Sequence, residues 1–158
     1  MNSNVEETRN LMVQLLDVTQ RKTWLELSSI DPERVVFSNN PIWRVRDVVG
    51  HIGVWNGEAA NSLRAHAEGG EYYCIESEAK YDEFNGFAVE ERRTWNIDQV
   101  WAEYKASCDQ LKILVETMPA EKWDGDMLYP WNERGTIRNL IKVMMKHEVE
   151  HREIISGG

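Results

Sequence analysis

Apolar side chains recur at spacings of three and four residues along four stretches of the chain, and turn-forming residues separate these stretches. That period is typical of amphipathic helices, each with one apolar face. The pattern predicts helices over residues 4–29, 43–68, 97–118 and 136–155. With no convincing strand and no internal repeat, these helices predict an all-α four-helix bundle, and we expect residues 1–158 to form a single domain.

Capping and breaking residues mark the ends of three of these helices. Gly69 and Gly70 end the second helix. Asn96 is a preferred cap for the third helix, and Gln99 stands at the capping-box position. Thr136 caps the fourth helix. These local signals support the same helices as the apolar pattern.

The connection between the second and third helices is unusually long. Residues 71–96 combine aromatic and acidic side chains without a clear period. A connection of this length without any secondary structure is uncommon in a compact domain, so we expect a helical turn or two within residues 78–93.

Composition narrows the class of protein. Apolar residues make up 42% of the chain and charged residues 28%, as in ordinary globular proteins. No apolar run is long enough to cross a membrane and the polar start is not a signal peptide, so we expect a cytoplasmic protein without a membrane partner. The net charge of −9 and the lack of a basic cluster disfavour nucleic-acid binding. Cys74 and Cys108 do not form a CxxC motif and are typical of a reducing compartment.

Candidate chemistry lies near the end of the fourth helix, where His147 and His151 stand four residues apart. Both side chains project from one helix face and can chelate a divalent metal, provided a third ligand joins them. His51 lies on the apolar stripe of the second helix and is the better third ligand, since His66 lies near that helix's end, where a surface role is expected. The alternative is that the pair is partly exposed on a charged helix end.

Helix geometry sets a condition on this metal site. His51 lies about 10 Å from the start of the second helix, and the midpoint of His147 and His151 lies about 9 Å from the end of the fourth. The three side chains fall at one level if these helices run antiparallel. The third helix then starts at the same end as the second, so residues 71–96 must return along the whole bundle and can form the rim of the site.

These residues resemble the DinB/YfiT-like family of metal-binding four-helix bundles. The matching motifs are WRVRDVVGH over residues 43–51 and HEVEH over residues 147–151. The resemblance implies a long crossover between helices two and three, and a divalent metal held by His51, His147 and His151. The order tryptophan, aspartate, histidine is also similar to that in the metal-binding domain of mycothiol-dependent maleylpyruvate isomerases. Their additional C-terminal domain has no counterpart in this resemblance. Family members described as enzymes use mycothiol, bacillithiol or glutathione.

Other side chains near these motifs are candidates for a site. Neutral imidazoles suit zinc, nickel, iron or copper, and three protein ligands leave a position open for water or substrate. Trp43 and Trp55 flank His51 and can wall an apolar pocket, or they can belong to the core. Glu58 lies on the His51 face as a candidate general base, or it is a salt-bridged residue of the bundle.

Three further acidic residues lie close to the histidines in sequence. Asp47 can orient an imidazole, or it can stabilise the start of the second helix through its charge. Glu148 and Glu150 are each one residue from a histidine and are interpreted as solvated or as neighbours of the ligands.

Three functions fit this sequence. The first is a metal-dependent thiol transferase or isomerase that acts on a small, partly apolar electrophile. The second is a non-enzymatic metal- or small-ligand-binding stress protein, and the third is a plain bundle acting through protein contacts. The expected partners are a small-molecule substrate or a low-molecular-weight thiol, and the pattern leaves a homodimer open.

Overall fold

The computed structural model describes residues 2–39 and 41–157. Its helices are α1 (Asn2–Leu27), α2 (Val45–Ala67), α3 (Tyr81–Glu91), α4 (Ile97–Thr117), α5 (Ala120–Trp123) and α6 (Ile137–Ser156), with a 3-10 turn at Glu78–Lys80. Its strands are β1 (Val35–Phe37), β2 (Trp43–Arg44), β3 (Met127–Leu128) and β4 (Arg134–Gly135). The four predicted helices correspond to α1, α2, α4 and α6, which confirms the all-α bundle.

Contacts along α2 establish the directions of its neighbours. Its Asn56 donates to Glu148 in the second half of α6 at 3.2 Å, while Leu63 shares a core cluster with Ile137 at the start of α6. Helices α2 and α6 are therefore antiparallel, as predicted. In contrast, α4 runs parallel to α2, because Gly53 lies against Tyr104, about two turns into α4, and Arg64 bonds to Gln110, almost two turns further on.

Helix α1 completes the bundle beside α4 and α6. Arg9, early in α1, donates to the Met118 carbonyl at 2.6 Å, and Trp24, late in α1, packs edge to face on Trp101 at the start of α4. Helix α1 is thus antiparallel to α4 and parallel to α6. The bundle runs up, down, down and up in chain order, so the connection from α2 to α4 must cross its whole length.

This crossover contains α3 and the 3-10 turn, which confirms the helical turns expected within residues 78–93. Its return path is held by two contacts with the long helices. The indole nitrogen of Trp55 donates to Asn85 at 2.7 Å, and Arg92 forms a bidentate ion pair with Glu103 of α4 at 2.6 and 2.7 Å. Helix α3 consequently lies beside the part of the bundle where α2 and α4 begin.

The capping residues act as the sequence predicts. The side chain of Asn96 accepts from the Gln99 amide at 2.9 Å, and the Gln99 side chain accepts from the Asn96 amide at 2.8 Å. The hydroxyl of Thr136 accepts from the Asn139 amide at 3.1 Å. Within the described residues, no helix is both long and apolar enough to cross a membrane.

Four short strands are a feature that the sequence pattern did not predict. They form two antiparallel pairs, β1 with β2 and β3 with β4. With two or three residues each, they are too short to produce a recognisable alternation of apolar and polar positions. The first pair changes the predicted start of the second helix. Trp43 belongs to β2 and pairs with Phe37 of β1, so α2 begins only at Val45.

Candidate metal centre

Three histidine side chains from two helices converge on one point. The Nε2 atom of His51, on α2, lies 2.9 Å from that of His147 and 3.2 Å from that of His151, both on α6. The Nε2 atoms of His147 and His151 are 3.1 Å apart. The antiparallel packing of α2 and α6 thus brings together residues that lie 96 and 100 positions apart in the sequence.

The donor set fits a divalent metal. Nitrogen ligands lie about 2.0–2.1 Å from zinc, so three of them at tetrahedral angles are about 3.3 Å apart, close to the separations found here. Among residues 2–39 and 41–157, no cysteine, carboxylate or fourth histidine joins the cluster. The three histidines could therefore hold a metal and leave a coordination position free of protein ligands.

Burial keeps these imidazoles in the form that binds metals. It lowers the pKa of His147 from 6.5 to about 3, with a further contribution from the nearby His151. The pKa of His51 is lowered well below 6.5, first by burial and then by the other two histidines. Burial also lowers the pKa of His151, although the Glu150 carboxylate opposes this shift. All three rings are consequently neutral at physiological pH, with lone pairs available.

The opposite ring nitrogens lack the partners that histidine ligands usually have. In the part of the chain that the structure describes, the Nδ1 atoms of His147 and His151 are buried without a hydrogen-bond partner. Metal-binding histidines normally donate from this position to a carboxylate or a carbonyl, which sets the ring orientation. Here the orientation of these two rings must come from elsewhere in the fold.

A cavity of about 290 Å³ opens beside the three Nε2 atoms. Its walls are mainly aromatic and apolar, formed by Trp43, His51, Trp55, Tyr81, Asn85, Trp131, Val143, Met144, His147 and His151. The Trp43 ring lies 5.2 Å from the His51 ring, and Trp55 packs 5.3 Å from Tyr81. Among the described residues, the lining contains no lysine, arginine, aspartate or glutamate.

Sequence comparison agrees with this architecture, since the model of the DinB superfamily matches residues 5–155. The chain belongs to the DinB superfamily. This confirms the family resemblance inferred from the motifs. No curated protein matches the sequence.

Two solved structures share the fold of this DinB-superfamily chain. They are crystal structures of the mycothiol-dependent maleylpyruvate isomerase and of a mutant of that enzyme, with 14% and 13% sequence identity. Both have a TM-score of 0.73, and both alignments cover 91% of this chain. The chain spans only 59% of the length of those proteins. At this identity the likeness shows a common fold.

Trp43 and Trp55 line the cavity, which is one of the two alternatives that the sequence left open, whereas Glu58 lies elsewhere. Glu58 does not line the cavity. Its carboxylate accepts a hydrogen bond from the Tyr72 hydroxyl at 2.6 Å. Seven residues separate Glu58 from His51, which is about 10 Å along a helix, so sharing a face did not bring it to the same site.

The other acidic candidates have roles that differ from one another. Asp47 accepts from the Arg44 amide at 2.8 Å and so caps the start of α2. Glu150 is exposed and lies 3.8 Å from Lys146 in an ion pair. The interpretation of Glu148 as solvated is wrong, because its side chain is buried on the side of α6 that packs into the bundle.

His66, Cys74 and Cys108 lie outside the cavity beside the three histidines. His66 contacts the carbonyl of Lys122 at 2.8 Å and ties the end of α2 to α5. Cys74 and Cys108 are free thiols. Burial raises the pKa of Cys74 from 9.0 to about 12 and raises that of Cys108 as well, so both stay protonated.

Three cavity residues come from segments without helical periodicity. Tyr81 and Asn85 belong to the crossover, in agreement with the rim expected from residues 71–96. Trp131 lies between β3 and β4 and was not predicted, because nothing in its local sequence links it to the histidines. The aromatic composition of these segments was the only available signal.

Proposed function

We propose that this protein binds one divalent metal through His51, His147 and His151 and uses it in a thiol-dependent transfer or isomerisation. The substrate is a small, partly apolar electrophile. The observation that carries the proposal is the convergence of three Nε2 atoms within 3.2 Å at the wall of an aromatic cavity. The structural likeness to an isomerase that depends on mycothiol supports the thiol component.

The choice of cofactor follows from the donor set. Three neutral imidazoles suit zinc, nickel or iron. A cation held by them would keep its full charge and would favour the anionic form of a bound thiol or water. The cluster has no fourth protein ligand among the described residues. This is the arrangement of catalytic sites, which keep one coordination position open, whereas structural sites fill it with a fourth protein ligand.

The chain's own residues bind and shield the reactants. Trp43, Trp55 and Trp131 provide apolar surface for the body of the electrophile and exclude water from the cavity. Asn85 has its amide oxygen engaged by Trp55, so its amide nitrogen is the group that it offers to a ligand. Because no cationic side chain in the described part of the chain lines the cavity, a substrate with several negative charges would lack partners there.

Proton transfer in this proposal does not involve Glu58. No carboxylate from residues 2–39 or 41–157 lines the cavity, so a thiol that binds there would lose its proton to solvent. Thiol binding should then release about one proton and strengthen as pH rises through the pKa of the bound thiol towards that of the free thiol. We place this activity in the cytoplasm, where low-molecular-weight thiols are reduced and Cys74 and Cys108 remain free.

A screen of thiols tests this function directly. Metal-loaded protein would be incubated with a small aromatic or unsaturated electrophile and with mycothiol, bacillithiol or glutathione. We expect turnover with at least one thiol, and a loss of at least about 100-fold in His51→Ala, because that variant removes one of the three ligands. His66→Ala is the matched control and should retain full activity. Full metal loading without turnover with any thiol would contradict the enzyme and favour a non-enzymatic binding protein.

A further inference from the structure

A single buried carboxylate links α6 to all three other long helices. Glu148 is 2% exposed and directly follows His147. Its Oε2 accepts from the Thr23 hydroxyl of α1 at 2.7 Å and from the Tyr104 hydroxyl of α4 at 2.9 Å. Its Oε1 accepts from the Asn56 amide of α2 at 3.2 Å. We call Glu148, Thr23, Asn56 and Tyr104 the Glu148 cluster.

A second buried charge lies one turn further along α6. Arg152 is 5% exposed and directly follows His151. It donates to the Thr19 carbonyl at 3.0 Å and to the Thr23 hydroxyl at 3.2 Å, both on α1. Each α6 histidine is thus followed by a residue that ties the helix to its neighbours at that level.

The histidines need such support because their rings have no partners of their own. The Nδ1 atoms of His147 and His151 are buried and unpaired within the described residues. The positions of the Nε2 atoms consequently depend on the rotation and axial position of α6. A rotation of the helix would move both rings together away from His51, which belongs to α2.

We propose that the Glu148 cluster positions α6 so that His147 and His151 meet His51 at one point. Thr23, Asn56, Tyr104 and Glu148 are positioning residues that act through the helix backbone. This inference rests on the proposed metal site, since a site must exist for its ligands to be positioned.

Stability alone is a poor explanation for this cluster. Burying a carboxylate carries a large desolvation cost, which its hydrogen bonds largely offset. Well-packed apolar residues in its place often give the same stability or more. The three hydrogen bonds to three helices instead fix the position of α6, because each one restricts the helix in a different direction. The Asn56 bond in particular sets the register of α6 against α2, the helix that carries His51.

Two conservative variants test the positioning role. Tyr104→Phe and Thr23→Val each remove one hydroxyl of the cluster and keep the shape of the side chain. Ser107→Ala is the matched control, because it also removes a buried hydroxyl from α4, but one that bonds only within its own helix, to the Tyr104 carbonyl. Val115→Ala serves as a second control, because it lowers stability in the apolar core cluster that contains Leu63 and Ile137.

The measurement is the Co²⁺ dissociation constant of folded protein by chelator competition, together with the visible spectrum of the bound ion. We expect Tyr104→Phe and Thr23→Val to weaken Co²⁺ binding by about 10-fold or more and to alter the spectrum. Both controls should stay within about twofold of the wild type. If one cluster variant fails to fold, the other carries the test.

The possible failures are distinguishable. Cluster variants with wild-type affinity and an unchanged spectrum would overturn the positioning role and leave the metal site intact. Equal losses in the cluster variants and in Val115→Ala would assign the cluster to stability and also overturn it. Wild-type protein that binds no Co²⁺ would contradict the proposed function, and the positioning role with it.

Discussion

The three histidines differ from a free imidazole because the fold lowers the pKa of each one, so they remain neutral to a lower pH. Burial is the main cause, and their mutual proximity adds to it for His51 and His147. This suits metal binding, since protons compete weakly for the lone pairs. It also means that the fold must exclude protons that the unfolded chain would accept, which makes folding depend on pH.

We predict that the metal-free protein loses stability as pH falls below about 6.5. The folded-state pKa of His147 is about 3, so between these values the unfolded chain binds a proton that the folded chain does not. Each histidine that is protonated only in the unfolded chain lowers the free energy of unfolding by up to about 1.4 kcal/mol per pH unit. Urea unfolding between pH 5 and 7.5 should therefore give a steeper pH dependence for the wild type than for His147→Gln. Parallel curves for the two proteins would contradict a His147 imidazole that stays neutral in the folded state.

Much of this site follows from residue spacing. The four-residue interval placed His147 and His151 together, and the apolar stripe of the second helix selected His51 over His66. Spacing within one helix does not reveal which residues of other segments pack against the site. Asn85 and Trp131 reach the cavity through tertiary contacts. Glu148 kept two interpretations, solvated or a neighbour of the ligands, because charge alone does not tell which face of a helix is buried.

At the scale of elements, the close approach of α2 and α4 is a defining feature. A Cβ atom at Gly53 would lie 3.2 Å from the Cα of Tyr104, whereas one at Gly57 would lie 3.8 Å from the Cβ of Ser107. The first separation is too short for backbone that cannot move aside, and the second is an ordinary contact. Gly53 thus allows the two parallel helices to pack closely beside the Glu148 cluster.

We predict opposite effects for alanine at these two glycines. Gly53→Ala should destabilise the protein by about 1–3 kcal/mol, because the added methyl group meets the α4 backbone. Gly57→Ala should be neutral or stabilise it by up to about 1 kcal/mol, because alanine favours a helix interior. Urea unfolding of both variants measures this difference. Equal effects would show that α2 and α4 do not pack as closely as described.

The long helices were predictable because each repeats one apolar face over five or more turns, and their caps agree with that period. The four strands were not, since two or three residues cannot show a period of two. The crossover lies between these cases. Its helix α3 was expected on the grounds of length, but its boundaries depend on packing against Trp55 and Glu103.

At the scale of the whole molecule, the bundle's topology is what assembles the site. Because α2 and α6 are antiparallel, the start of one lies beside the end of the other, and the crossover must return to that same end. This consequence of helix geometry was expected from the sequence and is confirmed by the arrangement of the helices. The net charge of −9 did not contribute to the fold prediction, but it agrees with a cavity that no cationic side chain of the described residues lines.

Metal analysis of protein purified without added metal tests the central claim most directly. The wild type should contain one divalent ion per chain, and His66→Ala should match it, because His66 contacts only the far end of the bundle. His147→Ala and His151→Ala should each abolish tight binding, since two imidazoles alone hold a divalent ion weakly. Full metal occupancy in the double variant lacking both His147 and His151 would contradict the proposed site.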